Sequence, residues 1–380
     1  MRGGADLSYI WPRRKVATQT EGHALGSTYL DWAATAPIDP AAVSAMADAA
    51  RGWANPSSVH GAGRRAHGLL EAARTDVAMA LGCTARSVVF TGGGTEALGL
   101  ALAQGGRCFV SAVEHDAVRA QARDAAVIPV DDNGVVDLSA LEEMLASADR
   151  PLVAVMHVNN ETGVIQPVAA VATIVAARGG RLIVDAVQSA GKLALPDVDY
   201  VAVSAHKLGG PPGVGALIVR DEVTATARGG GQERGRRAGT ENLPGIAGFT
   251  TALAARTADM GWLERAAGLR DRLEAQLPEA IVYGAGAPRI GTIACIGLPG
   301  VTAMTQLMAL DIAGFAVSAG AACSSGKVRT SHVLGAMGVG PAAAGEAIRV
   351  SLGWTTTADA IDAFALAWRT MAARLGRKAA

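Results

Sequence analysis

Short apolar runs recur through the middle of this chain, and several of them stop at an abrupt change to polar residues. The runs are Ser87–Phe90, Arg107–Ser111, Leu152–Val158, Leu182–Val184, Tyr200–Val203 and Ala216–Val219. Stretches of helical character lie between several of them, such as Ala140–Ala148 and Val168–Ala177. Alternation of this kind predicts an α/β fold with a mainly parallel sheet covered on both faces. Ligands of such sheets sit at the carboxyl ends of the strands. Gly94-Thr95, His115, Asn160, Asp185, Gln188, His206 and Lys207 are therefore expected to converge on one rim. Loop polarity alone explains Asp131-Asp132-Asn133. It explains less well why the other strand ends carry a cation, a carboxylate and two imidazoles.

After about residue 260 the pattern changes. Trp262–Leu277 reads as an amphipathic helix, Val317–Gly326 is almost all small residues, Ala347–Leu352 is a strand, and a last helix runs from Ala358 to about Leu375. Thr355-Thr356-Thr357 offers that helix an N-cap. A chain of 380 residues, 50% hydrophobic, suggests one large domain and a smaller α+β domain. Lys+Arg and Asp+Glu both number 34, so no global field draws in nucleic acid or a membrane surface. Cys83, Cys108, Cys295 and Cys323 are far apart and form no CxxC pair. That argues against a disulfide framework or a structural zinc site, and it points to a reducing cytoplasm. No membrane-spanning run is present in the sequence, and no apolar stretch follows Arg13-Arg14-Lys15, so no secretory signal is expected. Residues 1–27 are expected to form a poorly ordered extension.

The chemistry starts from Lys207, placed after an apolar strand and before Gly209-Gly210-Pro211-Pro212-Gly213. Partial desolvation there lowers an amine's pKa and frees it to form a Schiff base. A strand-end lysine taken alone is more often simply solvated. Asp185, ending the neighbouring run, is placed to pair with a protonated pyridine nitrogen and keep such a ring electron-poor. Gly92-Gly93-Gly94-Thr95-Glu96 follows another strand and opens a helix, an arrangement that suits phosphate. Amine, acid and phosphate cradle thus occur on strand ends of one chain.

A wider set of segments carries a family resemblance. They are Tyr29-Leu30-Asp31, Ala33-Ala34-Thr35-Ala36-Pro37, Asn55-Pro56-Ser57-Ser58 with His60, Phe90-Thr91 with Gly93-Gly94-Thr95-Glu96, and Glu114-His115. His157-Val158-Asn159-Asn160-Glu161-Thr162-Gly163, Val184-Asp185-Ala186-Val187-Gln188-Ser189 and Ser204-Ala205-His206-Lys207 follow. Gly229–Gly231, Glu233-Arg234-Gly235 and Arg237-Ala238-Gly239-Thr240-Glu241-Asn242 come next. The last are Gly320-Ala321-Ala322-Cys323-Ser324-Ser325 and Ile348-Arg349-Val350-Ser351-Leu352-Gly353. Over about residues 28 to 375 the chain resembles the cysteine desulfurases of the class V aminotransferase group, of the NifS/IscS kind.

That resemblance implies a pyridoxal-5'-phosphate-dependent transferase of fold type I. Residues 39–261 are expected to form the large cofactor-binding domain. Residues 28–38 and 262–380 are expected to form the small domain with the catalytic cysteine loop. The resemblance implies that Lys207 forms the Schiff base and later moves protons, while His115 stacks on the ring and acts in acid–base steps. Asp185 is implied to pair with the ring nitrogen and Gln188 with the ring hydroxyl. Gly94, Thr95, Ser204 and His206 are implied to hold the phosphate, which Thr240 reaches from the other subunit of a homodimer. Asn160 and Arg349 are implied to bind the carboxylate of substrate L-cysteine, for which the planar guanidinium fork is suited. Cys323 is the implied nucleophile, keeping the sulfur as a persulfide and leaving L-alanine. No resident metal is required, although Cys323 could contact a nascent iron–sulfur cluster. The implied partner is an iron–sulfur scaffold or another sulfur acceptor. Selenocysteine lyase, or another class V pyridoxal-phosphate enzyme, is the alternative.

The sequence departs from the family pattern at three places. Gly99 stands where an asparagine is frequent near the cofactor, Ala321 where a serine is common, and Gln232 where a histidine is common. The long segment from Cys323 to Leu334 resembles the type with an extended loop, which implies direct sulfur delivery. A longer tail, used by some relatives to hold a scaffold protein, is not expected here.

Overall fold

A computed structural model describes residues 27–227, 229–320 and 330–375. The expected extension at residues 1–27 thus lies outside the described residues, apart from Ser27, and so does Cys323. The strands are β1 (Thr28–Tyr29), β2 (Val88–Thr91), β3 (Cys108–Ser111), β4 (Ala126–Ile128), β5 (Leu152–Met156), β6 (Arg181–Asp185) and β7 (Tyr200–Ser204). They continue as β8 (Gly215–Val219), β9 (Ile281–Val282), β10 (Ile293–Gly297), β11 (Phe315–Ala316), β12 (Ser318–Ala319) and β13 (Ala347–Ser351). The helices are α1 (Pro40–Arg51), α2 (Gly61–Leu81), α3 (Gly94–Leu102), α4 (Asp116–Arg119), α5 (Leu138–Leu145) and α6 (Val168–Ala176). The rest are α7 (Leu243–Ala258), α8 (Gly261–Ala275), α9 (Ala303–Ile312), α10 (His332–Ala336), α11 (Pro341–Ala344) and α12 (Ala358–Leu375).

A seven-stranded sheet of order β2-β8-β7-β6-β5-β3-β4 forms the centre. Its neighbours pair in parallel from β7 through β6, β5 and β3 to β4. Only β8 runs the other way, antiparallel to both β2 and β7. Alternate residues of each strand feed two different cores, because side chains point to opposite faces at period two. Val88, Phe90, Val153, Val155, Leu182 and Val184 pack under α2, α5, α6 and α7. Val89, Val110, Ala154, Ile183 and Ala202 pack against α3 and α4. Burial on both faces is why the strands read as continuous apolar runs rather than as alternating ones. β4 was not anticipated: it is three residues long and lies at the sheet edge with Val127 58% exposed, too little apolar pattern to register.

A second sheet, β12-β13-β10-β9, is wholly antiparallel. Its apolar residues join α8, α9 and α12 around the buried Phe364 and Trp368, and Leu30 belongs to this cluster. Thr357 caps α12, its hydroxyl accepting the Ala360 N–H at 3.2 Å. No helix of the described residues is long and apolar enough to cross a membrane.

Candidate active site

Five strands of the large sheet point their carboxyl ends at one cavity of about 640 Å³. At the end of β2, Gly93 adopts φ 142°, which suits glycine, and α3 starts directly after it. A Cβ at Gly94 would stand 2.7 Å from Val187 Cγ2, so the helix start lies close against the Asp185 turn. The first turn of α3 presents N–H groups that lack helical acceptors, with the positive end of the helix dipole behind them. Glu96 closes the turn from outside, its Oε2 accepting the Gly92 N–H at 2.5 Å.

His115 follows β3 and caps α4. Its Nδ1 accepts the Ala117 N–H at 3.0 Å. Asp185 is the last residue of β6 and is 7% exposed. Burial pushes its carboxyl above the usual range, while the Val187 N–H at 2.9 Å and the nearby His115 and Lys207 act in the opposite direction. Gln188 donates from Nε2 to the Ala33 carbonyl at 2.9 Å. Its Oε1 is buried with no partner, an acceptor awaiting a donor.

Ser204 ends β7, and a single tight turn, Ala205–Lys207, follows. That turn aims Lys207 into the cavity, where Nζ donates to the carbonyls of Ala33 at 2.8 Å and Ala34 at 2.7 Å. Burial, reinforced by the charge of Arg349, lowers the amine to about 8, against the opposing pull of Asp185 and Asp31. His206 approaches the Thr35 hydroxyl at 3.2 Å. Burial and then the Lys207 charge lower this imidazole to about 4, so it is neutral near pH 7.

The opposite wall comes from elsewhere. Arg349, on β13, donates from Nη1 to the Asn160 carbonyl at 2.9 Å and from Nη2 to Asp31 Oδ1 at 2.8 Å. Its side chain is 5% exposed and its Nε is buried without a partner. Ser318, Gly320, Thr330 and His332 complete that side. The structure thus brings Gly94, Thr95, His115, Asn160, Asp185, Gln188, Ser204, His206, Lys207 and Arg349 to one cavity. Thr240 is exposed and is not among the lining residues of its own chain. Cys323 lies outside the described residues, between Gly320 and Thr330 of the lining.

Asp31, Glu161 and His332 also line the cavity, with no signal in the sequence that marks them. Asp31 and Glu161 stand inside segments that bear the resemblance, but their partners are 318 and 170 residues away, and nothing local marks the pairing. The departure at Gly99 has a structural counterpart. A Cβ there would meet Gln121 Oε1 at 2.1 Å, so Gln121 fills the space a longer side chain at 99 would need. Gln121 is held by the carbonyls of Thr95 at 3.2 Å and Ala117 at 2.6 Å. Among the described residues no cluster suited to a metal ion occurs.

The family model of class V aminotransferases matches residues 28–364. The chain belongs to the class V aminotransferase family. A cysteine desulfurase of Cereibacter sphaeroides is 42% identical over 362 residues, covering 88% of this chain and 92% of that protein. An IscS-like cysteine desulfurase of Mycobacterium tuberculosis is 38% identical over 369 residues, covering 88% and 93%. Among solved structures, a NifS-like protein from Rickettsia africae superposes with a TM-score of 0.85 at 34% identity, covering 91% of this chain and 99% of that one. Class V aminotransferases depend in general on pyridoxal phosphate. The cavity residues fit that group. The orphaned Gln188 oxygen needs a donor, Asp185 is a buried acid, the Lys207 amine is lowered to about 8, and a helix N-terminus adjoins all three.

Proposed function

We propose that the chain is a cysteine desulfurase that converts L-cysteine to L-alanine and leaves a persulfide on Cys323. The observation that carries this reading is the meeting of Lys207, Asp185 and Arg349 around one cavity. Two kinds of charge are needed there: an amine and an acid for pyridoxal phosphate, and a fork for an amino acid's carboxylate. The names of the relatives support the choice of substrate.

In this reading Lys207 would hold the cofactor, Asp185 would pair with its ring nitrogen and Gln188 would accept from its ring hydroxyl. Gly94, Thr95, Ser204 and His206 would hold the phosphate, with His115 beside the ring. When bound, pyridoxal phosphate supplies an electron sink beside the substrate's amino group. Arg349 and Asn160 hold the substrate carboxylate and so fix which atom faces the thiol. The Cys323 thiolate attacks the substrate sulfur, the carbon–sulfur bond breaks, and its electron pair stays with carbon. Lys207 moves the proton that carbon then takes, giving alanine. The sulfur remains as the outer atom of a persulfide, so atoms and electrons balance without an added oxidant. His332 donates to the Glu114 carbonyl at 2.9 Å and lines the same side as Arg349.

Thr240, absent from its own chain's cavity, reaches the phosphate of the partner in a homodimer. Residues 39–261 act as the cofactor domain, and 28–38 with 262–380 as the small domain. Leu30 sharing a core with Trp368 supports that division. The sulfur acceptor is an iron–sulfur scaffold or another thiolation partner, in a reducing cytoplasm. Free Cys83, Cys108 and Cys295 support that compartment.

The test is release of alanine and sulfide from L-cysteine, with a thiol reductant, by the wild type and Cys323→Ala in parallel. Equal amounts of both products from the wild type and neither from the variant are expected. Absence of alanine from both, with cofactor bound, would overturn the reading in favour of a selenocysteine lyase or another class V activity.

A further inference from the structure

β2 is the edge strand of the large sheet, with β8 on one side and no strand among the described residues on the other. An edge leaves backbone N–H and C=O groups without a ladder partner. This edge runs directly into the turn at residues 92–95. Two buried side chains fill the gap. Arg74, on α2, donates from Nη1 to the Val88 carbonyl at 2.9 Å, and Glu233 Oε2 accepts the Phe90 N–H at 2.9 Å. The two also hold each other in a two-pronged ion pair, Nη1 to Oε2 at 2.6 Å and Nη2 to Oε1 at 2.9 Å. They are 2% and 4% exposed. The ion pair stands in for the missing rung of the ladder.

Two residues further on, the Gly92 N–H is taken by Glu96 Oε2 at 2.5 Å. Arg237 holds that carboxylate, donating from Nε to Oε1 at 2.8 Å and from Nη2 to Oε2 at 3.3 Å. Glu233 and Arg237 belong to one short segment with an unusual backbone. Glu233 has φ 48° and Arg234 has φ 59°, both in the left-handed region that residues with side chains rarely enter. Such conformations persist only where the surroundings impose them. Arg234 is anchored as well, donating to Glu71 of α2 at 2.8 Å. Segment 233–237 is thus pinned to α2, to β2 and to the first turn of α3. Arg74, Glu233 and Arg237 do not line the cavity themselves.

We propose that Arg74, Glu233 and Arg237 are positioning residues that hold the turn at residues 92–95 in register for a phosphate dianion. The inference rests on Gly94 and Thr95 holding the cofactor's phosphate. Donors fixed before a ligand arrives need no ordering when it binds, and that saving appears as affinity. Arg237 has a second effect of the same sign. It offsets the Glu96 charge, which would otherwise repel an anion at the turn.

The experiment titrates the full chain, freed of cofactor, with pyridoxal phosphate or with pyridoxal, which has the same aldehyde and no phosphate. Absorbance reads the bound fraction, and a thermal melt reads folding. Arg237→Ala is expected to weaken pyridoxal phosphate about tenfold, the effect of losing one charge-assisted bond, and to leave pyridoxal as in the wild type. Arg237→Lys recovers part of the loss, since it keeps a positive charge beside Glu96. Glu233→Gln weakens pyridoxal phosphate more than Arg237→Ala does, because it opens the two-pronged pair beside β2. It also lowers the Tm, since the Arg74 charge is left buried without its partner. Should Glu233→Gln fail to fold, Arg237→Ala and Arg237→Lys carry the test, as the Arg237–Glu96 pair is partly exposed. An equal loss for both compounds, or no loss in Arg237→Ala, overturns the inference. Thr95→Ala separates it from the reading beneath it. A loss specific to pyridoxal phosphate in Thr95→Ala, with none in Arg237→Ala, overturns the inference alone. Wild-type affinity for pyridoxal phosphate in Thr95→Ala overturns the assignment of the phosphate to this turn, and the inference with it.

Discussion

On one side of the cavity, the groups stand within a few residues of strand ends in a single sheet: Gly94 after β2, His115 after β3, Asp185 on β6, Lys207 after β7. On the other side, Asp31, Gly320, Thr330, His332 and Arg349 come from segments scattered along the chain. The first wall is placed by strand pairing and tight turns, and its Lys207 and Gln188 side chains donate further to the Ala33 and Ala34 carbonyls. The second is held by side chains bridging long separations, 189 residues from Arg349 to Asn160 and 318 from Arg349 to Asp31. The difference assigns different work to each. The wall fixed by backbone suits a resident cofactor, and the wall fixed by side chains suits a substrate that comes and goes.

The hardest blow to this division is on the first wall. Lys207→Ala removes the amine and is expected to lose at least ~1000-fold in alanine release, together with the cofactor's absorbance. An enzyme that kept a normal cofactor spectrum without Lys207 would leave the first wall without its assigned task. A smaller effect of a different kind is expected on the second wall. Arg349→Lys keeps the charge but loses the two-pronged geometry, so one bond to Asn160 or Asp31 is lost along with the fork facing the substrate. A bond between charged groups is worth about 1.5–3 kcal/mol, or roughly a 10- to 100-fold fall in kcat/KM. The cofactor spectrum is expected to be unchanged. Loss of cofactor from Arg349→Lys would break the separation between the walls.

The same contrast decides what the sequence made legible. The order of strands and helices, and the convergence of Asp185, Gln188, His206 and Lys207, followed from apolar runs with polar ends, because position along a strand fixes position on the rim. β4 was illegible, since its three residues carry an exposed valine and no period. Asn160 shared that rim pattern, but Arg349 is legible only through resemblance, for a lone arginine in a strand carries no mark of its partner. Asp31 and Glu161 carry no local mark of a role, although both stand in segments that bear the family resemblance. Each is defined by a bond to a residue distant in sequence, 318 residues for Asp31 and 170 for Glu161. The Gly99 departure was visible, but the Gln121 side chain that fills its space was not.

The walls are not electrically independent, and the smallest prediction concerns that link. The Lys207 amine stands at about 8 rather than 10.5, with burial the larger cause and the charge of Arg349 the next. In the cofactor-free protein, the rate of pyridoxal phosphate capture follows the fraction of neutral amine. It is expected to rise as pH passes about 8 and to level off above it. Removing a neighbouring positive charge makes the ammonium easier to keep, so Arg349→Gln moves the midpoint upward. Freeing Asp31 from its ion pair pushes the same way, since Asp31 raises the Lys207 pKa. The midpoint stays short of the ordinary lysine value because the burial remains. Arg349→Lys, which weakens substrate binding but keeps the charge, leaves the midpoint in place. The pair of variants therefore separates the two duties of one side chain: shape decides how the substrate is held, and charge decides how ready Lys207 is. A midpoint that did not move in Arg349→Gln would mean that burial alone sets the amine, and that the second wall acts on the substrate only.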